Sequence, residues 1–256
     1  MLAIISDVHA NCEALEAVLA KIDDLGADRI ICLGDIVGYG PEPVRCLDIV
    51  RERCDVVLCG NHDYAVVYGA EDFNPVARAC IECHREQLMP APDDPPHCEA
   101  RRRWKFLKNL PHRHVEGEYL FVHAAPRNPV FEYLRKIDVQ MQLEGKLREN
   151  FQQVEQLCFI GHTHRAGVIT SDMEWLEPNE FPDGFKPEFH QKAIVNVGSV
   201  GQPRDRDSRS SFATLDEDEG LVRWHRVEYD VEAVARRIRE NFRMDPSLAE
   251  RLLEGR

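Results

Sequence analysis

The chain has 256 residues, 43% of them hydrophobic and 30% charged, and a formal net charge of −13 at pH 7. That length suffices to bury a full core in one large domain, and the acidic balance disfavours a nucleic-acid backbone as partner, because such binding relies on clustered Lys and Arg. No apolar stretch approaches the roughly 20 residues that cross a bilayer, so no membrane partner is expected, and the run Met1-Leu2-Ala3-Ile4-Ile5-Ser6-Asp7 meets a carboxylate too early for a secretory signal.

Nine cysteines without a framework spacing fit reduced thiols and a cytoplasmic location. Residues 2–6 read as a buried strand; 12–25 carry Leu15, Val18, Leu19 and Ile22 at helical spacing and stop at Gly26; 29–33 form a second strand. A helix at 43–53, with Val44, Leu47, Ile49 and Val50 on its buried side, leads to a third strand at 56–59. Such alternation predicts a parallel sheet with right-handed crossovers, whose ligands gather at the carboxyl ends of the strands.

Residues 64–115 change to helix and loop and read as an insertion, with helices at 75–88 and 98–110 on either side of a Pro-rich break. These helices are either a cap beside a site or a packed outer layer. Cys80-Ile81-Glu82-Cys83-His84 matches the pattern of c-type haem attachment, but its helical spacing favours a reduced, helix-borne pair over a haem or a structural zinc. Strand pattern resumes at 119–123, a polar helix is expected at 138–154, and a strand at 157–160. Strands at 167–170, 192–197, 211–216 and 221–229 have hairpin-like spacing and predict a second, mostly antiparallel sheet stacked on the first. Residues 231–256 form a charged helical tail whose Arg236-Arg237-Ile238-Arg239 run reads as a solvated face.

Five segments interrupt this pattern with chemistry: Asp7-Val8-His9, Gly34-Asp35, Gly60-Asn61-His62-Asp63, His123 and Gly161-His162-Thr163-His164. Each falls where an apolar run breaks off, so five strands are expected to deliver donors to one sheet edge. Asp7 and His9, two apart on extended backbone, project to the same side. Any of these residues alone reads as a turn former, a helix cap or a surface histidine. Together, as a mixed carboxylate, amide and imidazole set, they favour transition ions over calcium.

In order and form, Asp7-x-His9, Gly34-Asp35-x-x-Gly38, Gly60-Asn61-His62-Asp63, His123 and Gly161-His162-x-His164 resemble the motif set of the calcineurin-like metallophosphoesterases. The Gly-Asn-His-Asp form is similar to that of the small bacterial and archaeal phosphodiesterase-like branch. The resemblance implies a single α/β domain folded as a four-layered α/β/β/α sandwich, with strands near Val195 and Phe212 in its second sheet. It implies one ion held by Asp7, His9 and His164, a second by Asn61, His123 and His162, and Asp35 bridging them. The ions would be Mn, Fe or Zn, with Ni and Co also compatible, set ~3.5–4 Å apart, and their bridging hydroxide would attack the phosphorus of a small phosphomonoester or phosphodiester. His62 would stabilise developing charge or protonate the leaving oxygen, with Asp63 holding its ring.

Asn11 is placed either to bind a phosphate oxygen or to cap the helix that follows it. Protein phosphatases and symmetrical dinucleoside-tetraphosphate hydrolases of this superfamily carry Gly-Asp-x-Val-Asp-Arg-Gly, whereas this chain has Gly34-Asp35-Ile36-Val37-Gly38-Tyr39-Gly40. A protein or nucleotide-pyrophosphate phosphatase is therefore the second reading, and a noncatalytic scaffold, disfavoured by the intact histidines, the third. Arg127 and Arg204 are the candidates to replace the missing Arg, with plain surface positions as their alternative.

Overall fold

In the computed structural model, which describes residues 1–256, β1 (Leu2–Ile5), β2 (Arg29–Cys32) and β3 (Val56–Val57) pair in parallel. They are joined by α1 (Cys12–Leu25) and α2 (Pro43–Arg53). The side chain of Asn11 accepts the Ala14 amide to start α1, and Gly26, at φ 66°, closes it in the left-handed conformation that suits glycine. Three helices follow, α3 (Asn61–Tyr68), α4 (Pro75–Leu88) and α5 (Glu99–Lys108).

The second sheet is built from β4 (Arg113–Glu116), β5 (Tyr119–Val122), β6 (Leu157–Ile160), β7 (Gly167–Thr170), β8 (Trp175–Leu176) and β9 (Ala193–Asn196), in the order β4-β5-β6-β9-β7-β8. β10 (Ser210–Asp216) and β11 (Leu221–Val227) return to the first sheet, whose order is β11-β10-β1-β2-β3.

Two expectations are corrected here. The centre of the second sheet, β5-β6-β9, is parallel and only its flanks are antiparallel. The strand of Phe212 belongs to the first sheet, so that sheet is mixed and the two sheets deliver the five segments between them. The reason lies in burial: β10 packs Ala213 and Leu215 between the sheets and Phe212 into the outer helical layer, as a central strand must. Hairpin spacing specifies that two strands pair, not which sheet receives them.

Alternation of side chains produces four layers. Leu2, Ile4, Ile31, Leu33, Phe121, Phe159 and Val195 fill the space between the sheets, where the rings of Phe121 and Phe159 stack at 5.2 Å. Ala3, Ile5 and Cys32 turn outward against Leu15, Leu47, Val66 and Leu107 of the flanking helices. Behind the second sheet, Leu120, Val122 and Ile160 meet Leu147 and Phe151. The polar helix expected at 138–154 is two, α6 (Lys136–Gln140) and α7 (Glu144–Phe151), parted where Gln142 takes φ 52°.

Helices α4 and α5 pack as an outer layer, through Ile81, Leu88 and Leu107. The tail folds into α8 (Val231–Glu240) and α9 (Ser247–Glu254), which bury Val234, Ile238, Leu248 and Leu252 with Tyr39, Ala77 and Cys80. Of the Arg236–Arg239 run, Arg236 and Arg239 are exposed as expected, whereas the partly exposed Arg237 pairs with Glu13 and Glu42 and ties α8 to the starts of α1 and α2. No helix is long and apolar enough to cross a membrane.

Because Phe159 is fully buried in the layer between the sheets, Phe159→Ala is expected to lower unfolding free energy by about 3–5 kcal/mol. Urea unfolding checks this, with a lower midpoint and an unchanged slope.

Candidate metal centre

The five segments meet at the ends of strands from both sheets. Asp7 and His9 follow β1, Asp35 follows β2, Asn61 and His62 open α3 after β3, His123 follows β5, and His162 and His164 follow β6. All are buried. Asp7, His9, Asp35, His162 and His164 take left-handed backbone, as do the neighbouring Ala10 and Tyr39. These are seven of the eleven non-glycine residues of the chain with positive φ. Strained backbone persists where the surroundings over-determine it, and it gathers at functional sites.

Each carboxylate divides its two oxygens. Asp7 Oδ2 accepts the amide of His162 at 3.0 Å, and Asp35 Oδ1 accepts the amide of His62 at 2.8 Å. The remaining oxygens face the imidazoles: Asp7 Oδ1 is 3.2 Å from His164 Nε2, and Asp35 Oδ2 lies 3.6 Å from His9 Nε2 and 3.5 Å from His123 Nε2. His123 Nε2 is 3.1 Å from both Asn61 Oδ1 and His162 Nδ1. Two donor sets result, Asp7, His9, Asp35 and His164, and Asp35, His123 and His162 with Asn61 beside them; Asp35 belongs to both. Gly60 is required here, since a Cβ would strike the Asp35 carboxylate.

Tautomers decide what these contacts are. His9 Nδ1 lies 2.9 Å from the carbonyl of Val37 and His164 Nδ1 2.6 Å from that of Gln202, so each carries its proton on Nδ1 and donates it. Their Nε2 atoms, 3.0 Å apart, therefore face each other as two lone pairs. A hydrogen bond is excluded, and a cation between them removes the repulsion. Donors held ~2.1 Å from one ion lie about 3.0–3.4 Å from each other; the His9–His164, Asp7–His164, His123–Asn61 and His123–His162 spacings fall in that range, and those of Asp35 to His9 and His123 are slightly longer.

Electrostatics agree with that fit. Burial pushes His123 down to about 3 and His162 to about 4, and holds His9 and His164 well below the usual imidazole value. Neutral imidazoles keep their lone pairs. Burial raises Asp7 and Asp35, and for Asp35 the nearby Asp7 and Asp63 add to it. Asp7 Oδ1 has no hydrogen-bond donor. A site that penalises both imidazolium and carboxylate is satisfied by an added dication.

The other expected residues divide. His62 packs between His9, Tyr39 and Phe73, with ring centroids at 4.9, 4.6 and 5.0 Å. Its Nδ1 is buried without a partner against Gly38, where a Cβ would collide with it and φ is 94°. Asp63 does not hold that ring. Its Oδ1 accepts the amides of Ile36 and Val37 and its Oδ2 that of Gly60, so it braces the loops that carry Asp35 and Asn61.

Asn11 is likewise structural, accepting from Ala14 and donating to the carbonyl of Gly201. Arg127 has all three guanidinium nitrogens paired with Glu132 and Glu149. Arg204 differs: its guanidinium donates to the neutral Gln202 amide and lies 5.6 Å from the centroid of the Tyr39 ring. Its charge helps depress His9, His62 and His164.

The sequence marks His84 only as the end of the haem-like pattern and does not reveal what it holds. Its Nδ1 accepts the Gly38 amide and its Nε2 lies 3.0 Å from the Gly40 carbonyl, so the neutral ring locks the loop that presents Tyr39 to His9 and His62. Both nitrogens are thereby engaged, and Cys80 and Cys83 are buried in α4 as free thiols. The haem-like spelling reflects only the helical placement of these three side chains.

The fold and the paired donor sets define a metallophosphoesterase. The model of the calcineurin-like phosphoesterase superfamily domain matches residues 1–220, and the chain belongs to that superfamily. It is 34% identical over 266 residues to an uncharacterised protein of Methanocaldococcus jannaschii, covering 100% of this chain and 98% of that one. The crystal structure of a metallophosphoesterase from Sphaerobacter thermophilus superposes with a TM-score of 0.80 at 37% identity, over 100% of this chain and 98% of that one. A symmetrical bis(5'-nucleosyl)-tetraphosphatase of Nitrosospira multiformis is 32% identical over 112 residues, 41% of this chain and 36% of its own length.

Burial pushes His84 down to about 4 from 6.5. Between those values the unfolded chain binds a proton that the folded protein refuses, so stability rises with pH across the window. His84→Gln, which keeps one donor and one acceptor without titrating, is expected to remove about 2–3 kcal/mol of the stability difference between pH 7 and 4.5. Paired urea titrations measure it.

Proposed function

We propose that this protein hydrolyses a small phosphomonoester or phosphodiester with two divalent transition-metal ions, Mn, Fe or Zn, in a cytoplasmic setting that its nine free thiols suit. The observation that carries this reading is the pair of facing lone pairs on His9 and His164, beside a second donor set that shares Asp35. Asp7, His9, His164 and Asp35 would hold one ion, and Asp35, Asn61, His123 and His162 the other. Bound there, the ions would polarise the phosphoryl oxygens and lower the pKa of a coordinated water.

The chain's own residues supply the rest. Neutral His62, whose Nδ1 is closed off by Gly38, offers Nε2–H to the oxygen on which charge develops. Arg204, steadied by Gln202 and Tyr39, offers a phosphate oxygen the charge that the Arg-bearing branches draw from the position Tyr39 occupies. Hydrolysis of a dinucleoside tetraphosphate is the second reading, favoured by the partial similarity to enzymes of that name.

Asp35→Asn is expected to reduce kcat/KM at least roughly 100-fold in a metal-by-substrate panel of phosphomonoesters, phosphodiesters and nucleotides. Full activity in a chelator, or an undiminished Asp35→Asn enzyme, would sink the mechanism. Calorimetric titration of the metal-free protein with Mn should give two equivalents bound, and His123→Ala one. A single equivalent in the unsubstituted protein removes the two-ion assignment.

A further inference from the structure

The second donor set opens on a cavity of about 290 Å³ whose walls are aromatic: Tyr39, Tyr64, Phe73, Phe131 and Tyr133. His62 and His162 also line it, so it begins at the metal centre. Tyr133 stacks on His162 with ring centroids 3.9 Å apart, and Phe131 meets Tyr64 edge to face at 5.3 Å. Phe131 and Tyr133 are 47% and 42% exposed, two large aromatic side chains left open beside a buried polar site.

No Lys or Arg lines the cavity, and its one carboxylate is that of Asp72. Besides the histidines and the three tyrosines, its polar residues are Asp72, Asn61 and Asn74, and Asn74 already spends its carbonyl oxygen capping α4.

We infer that this cavity seats the leaving group of the substrate, and that this group is a nucleoside joined to a single phosphorus. The inference rests on the phosphoesterase reading. A phosphorus held at the two donor sets, with its leaving oxygen at His62, puts the remainder of that group between Phe73 on one side and Tyr133 on the other. Flat rings gain most from such walls, since aromatic side chains stack with any base. A carboxylate at the rim accepts from a sugar hydroxyl or an exocyclic amine.

A further phosphate, by contrast, meets no Lys or Arg in the lining itself and faces Asp72, since the guanidiniums of Arg204 and Arg135 lie against the Tyr39 and Tyr133 rings and are not part of that lining. A polyphosphate chain next to the attacked phosphorus is therefore disfavoured, and with it the tetraphosphate substrate. The volume lies at the small end of the roughly 300–1,000 Å³ typical of ligand pockets, enough for one nucleoside.

The test compares adenosine 5'-monophosphate with ribose 5-phosphate, each also as its methyl diester, on the full chain loaded with Mn. The paired esters share a primary alcohol leaving group and differ in the base. The expected kcat/KM favours the base-bearing ester by about tenfold or more, and Phe131→Ala brings that ratio toward one while weakening inhibition by free adenosine. A merely structural effect of Phe131→Ala would lower both esters together and leave the ratio in place.

Equal turnover of the paired esters, dependent on Asp35, overturns this inference and leaves the phosphoesterase reading intact. So does a ratio unmoved in both Phe131→Ala and Tyr133→Leu, or a dinucleoside tetraphosphate cleaved faster than either adenosine ester. Absence of turnover across the set, where other phosphate esters are cleaved, overturns this inference alone, and turnover indifferent to Asp35→Asn removes both readings.

Discussion

Two imidazole lone pairs, on His9 and His164, meet at 3.0 Å in a space from which water is largely excluded. That confrontation is unfavourable by itself, and much of the fold serves to impose it. His9 belongs to the first sheet and His164 to the second, and the backbone carbonyls that orient them, Val37 and Gln202, come from loops after β2 and after β9. The left-handed residues around them each cost of order 1–3 kcal/mol. They are held by the apolar layer between the sheets and by amides such as that of His162, which binds Asp7 across the seam. Stability of the core is thereby converted into precise placement of donors.

The donors themselves were legible because each stands where a hydrophobic run ends, and a strand end is a place in three dimensions as well as in the chain. Sheet membership was not, because β10 and β9 look alike from their own residues and differ only in their neighbours. Proximity in sequence misled at Asp63. Consecutive residues on a helix point about 100° apart, so His62 lines the cavity while Asp63 reaches back to Ile36 and Val37. Arg127 followed His123 closely in sequence, but Glu149 sits on α7 and its approach is a tertiary fact. His84 illustrates the converse. It forms bonds to residues 44 and 46 positions away, and nothing in its own segment records them.

On the proposed reading, substrate selection would fall to parts of the molecule outside the ligand motifs. Tyr39 is packed from below by α8 and α9 and faces His9, His62 and Arg204 above. The turn between α3 and α4 contributes Phe73, and the loop after β5 contributes Phe131 and Tyr133. None of these side chains is a member of either donor set, although Tyr133 stacks on His162 and Tyr39 packs edge-on against His9. One reaction can in this way be fitted to different esters within a shared sandwich.

Each donor set draws side chains from both sheets: Asp7, His9 and Asp35 against His164 in one, and Asp35 and Asn61 against His123 and His162 in the other. All nine cysteines are free, so the layers share no covalent fastening. An ion in either set would act as a rivet through the seam, and metal supply would then govern how far the two halves of the sandwich breathe, as well as whether the centre is charged.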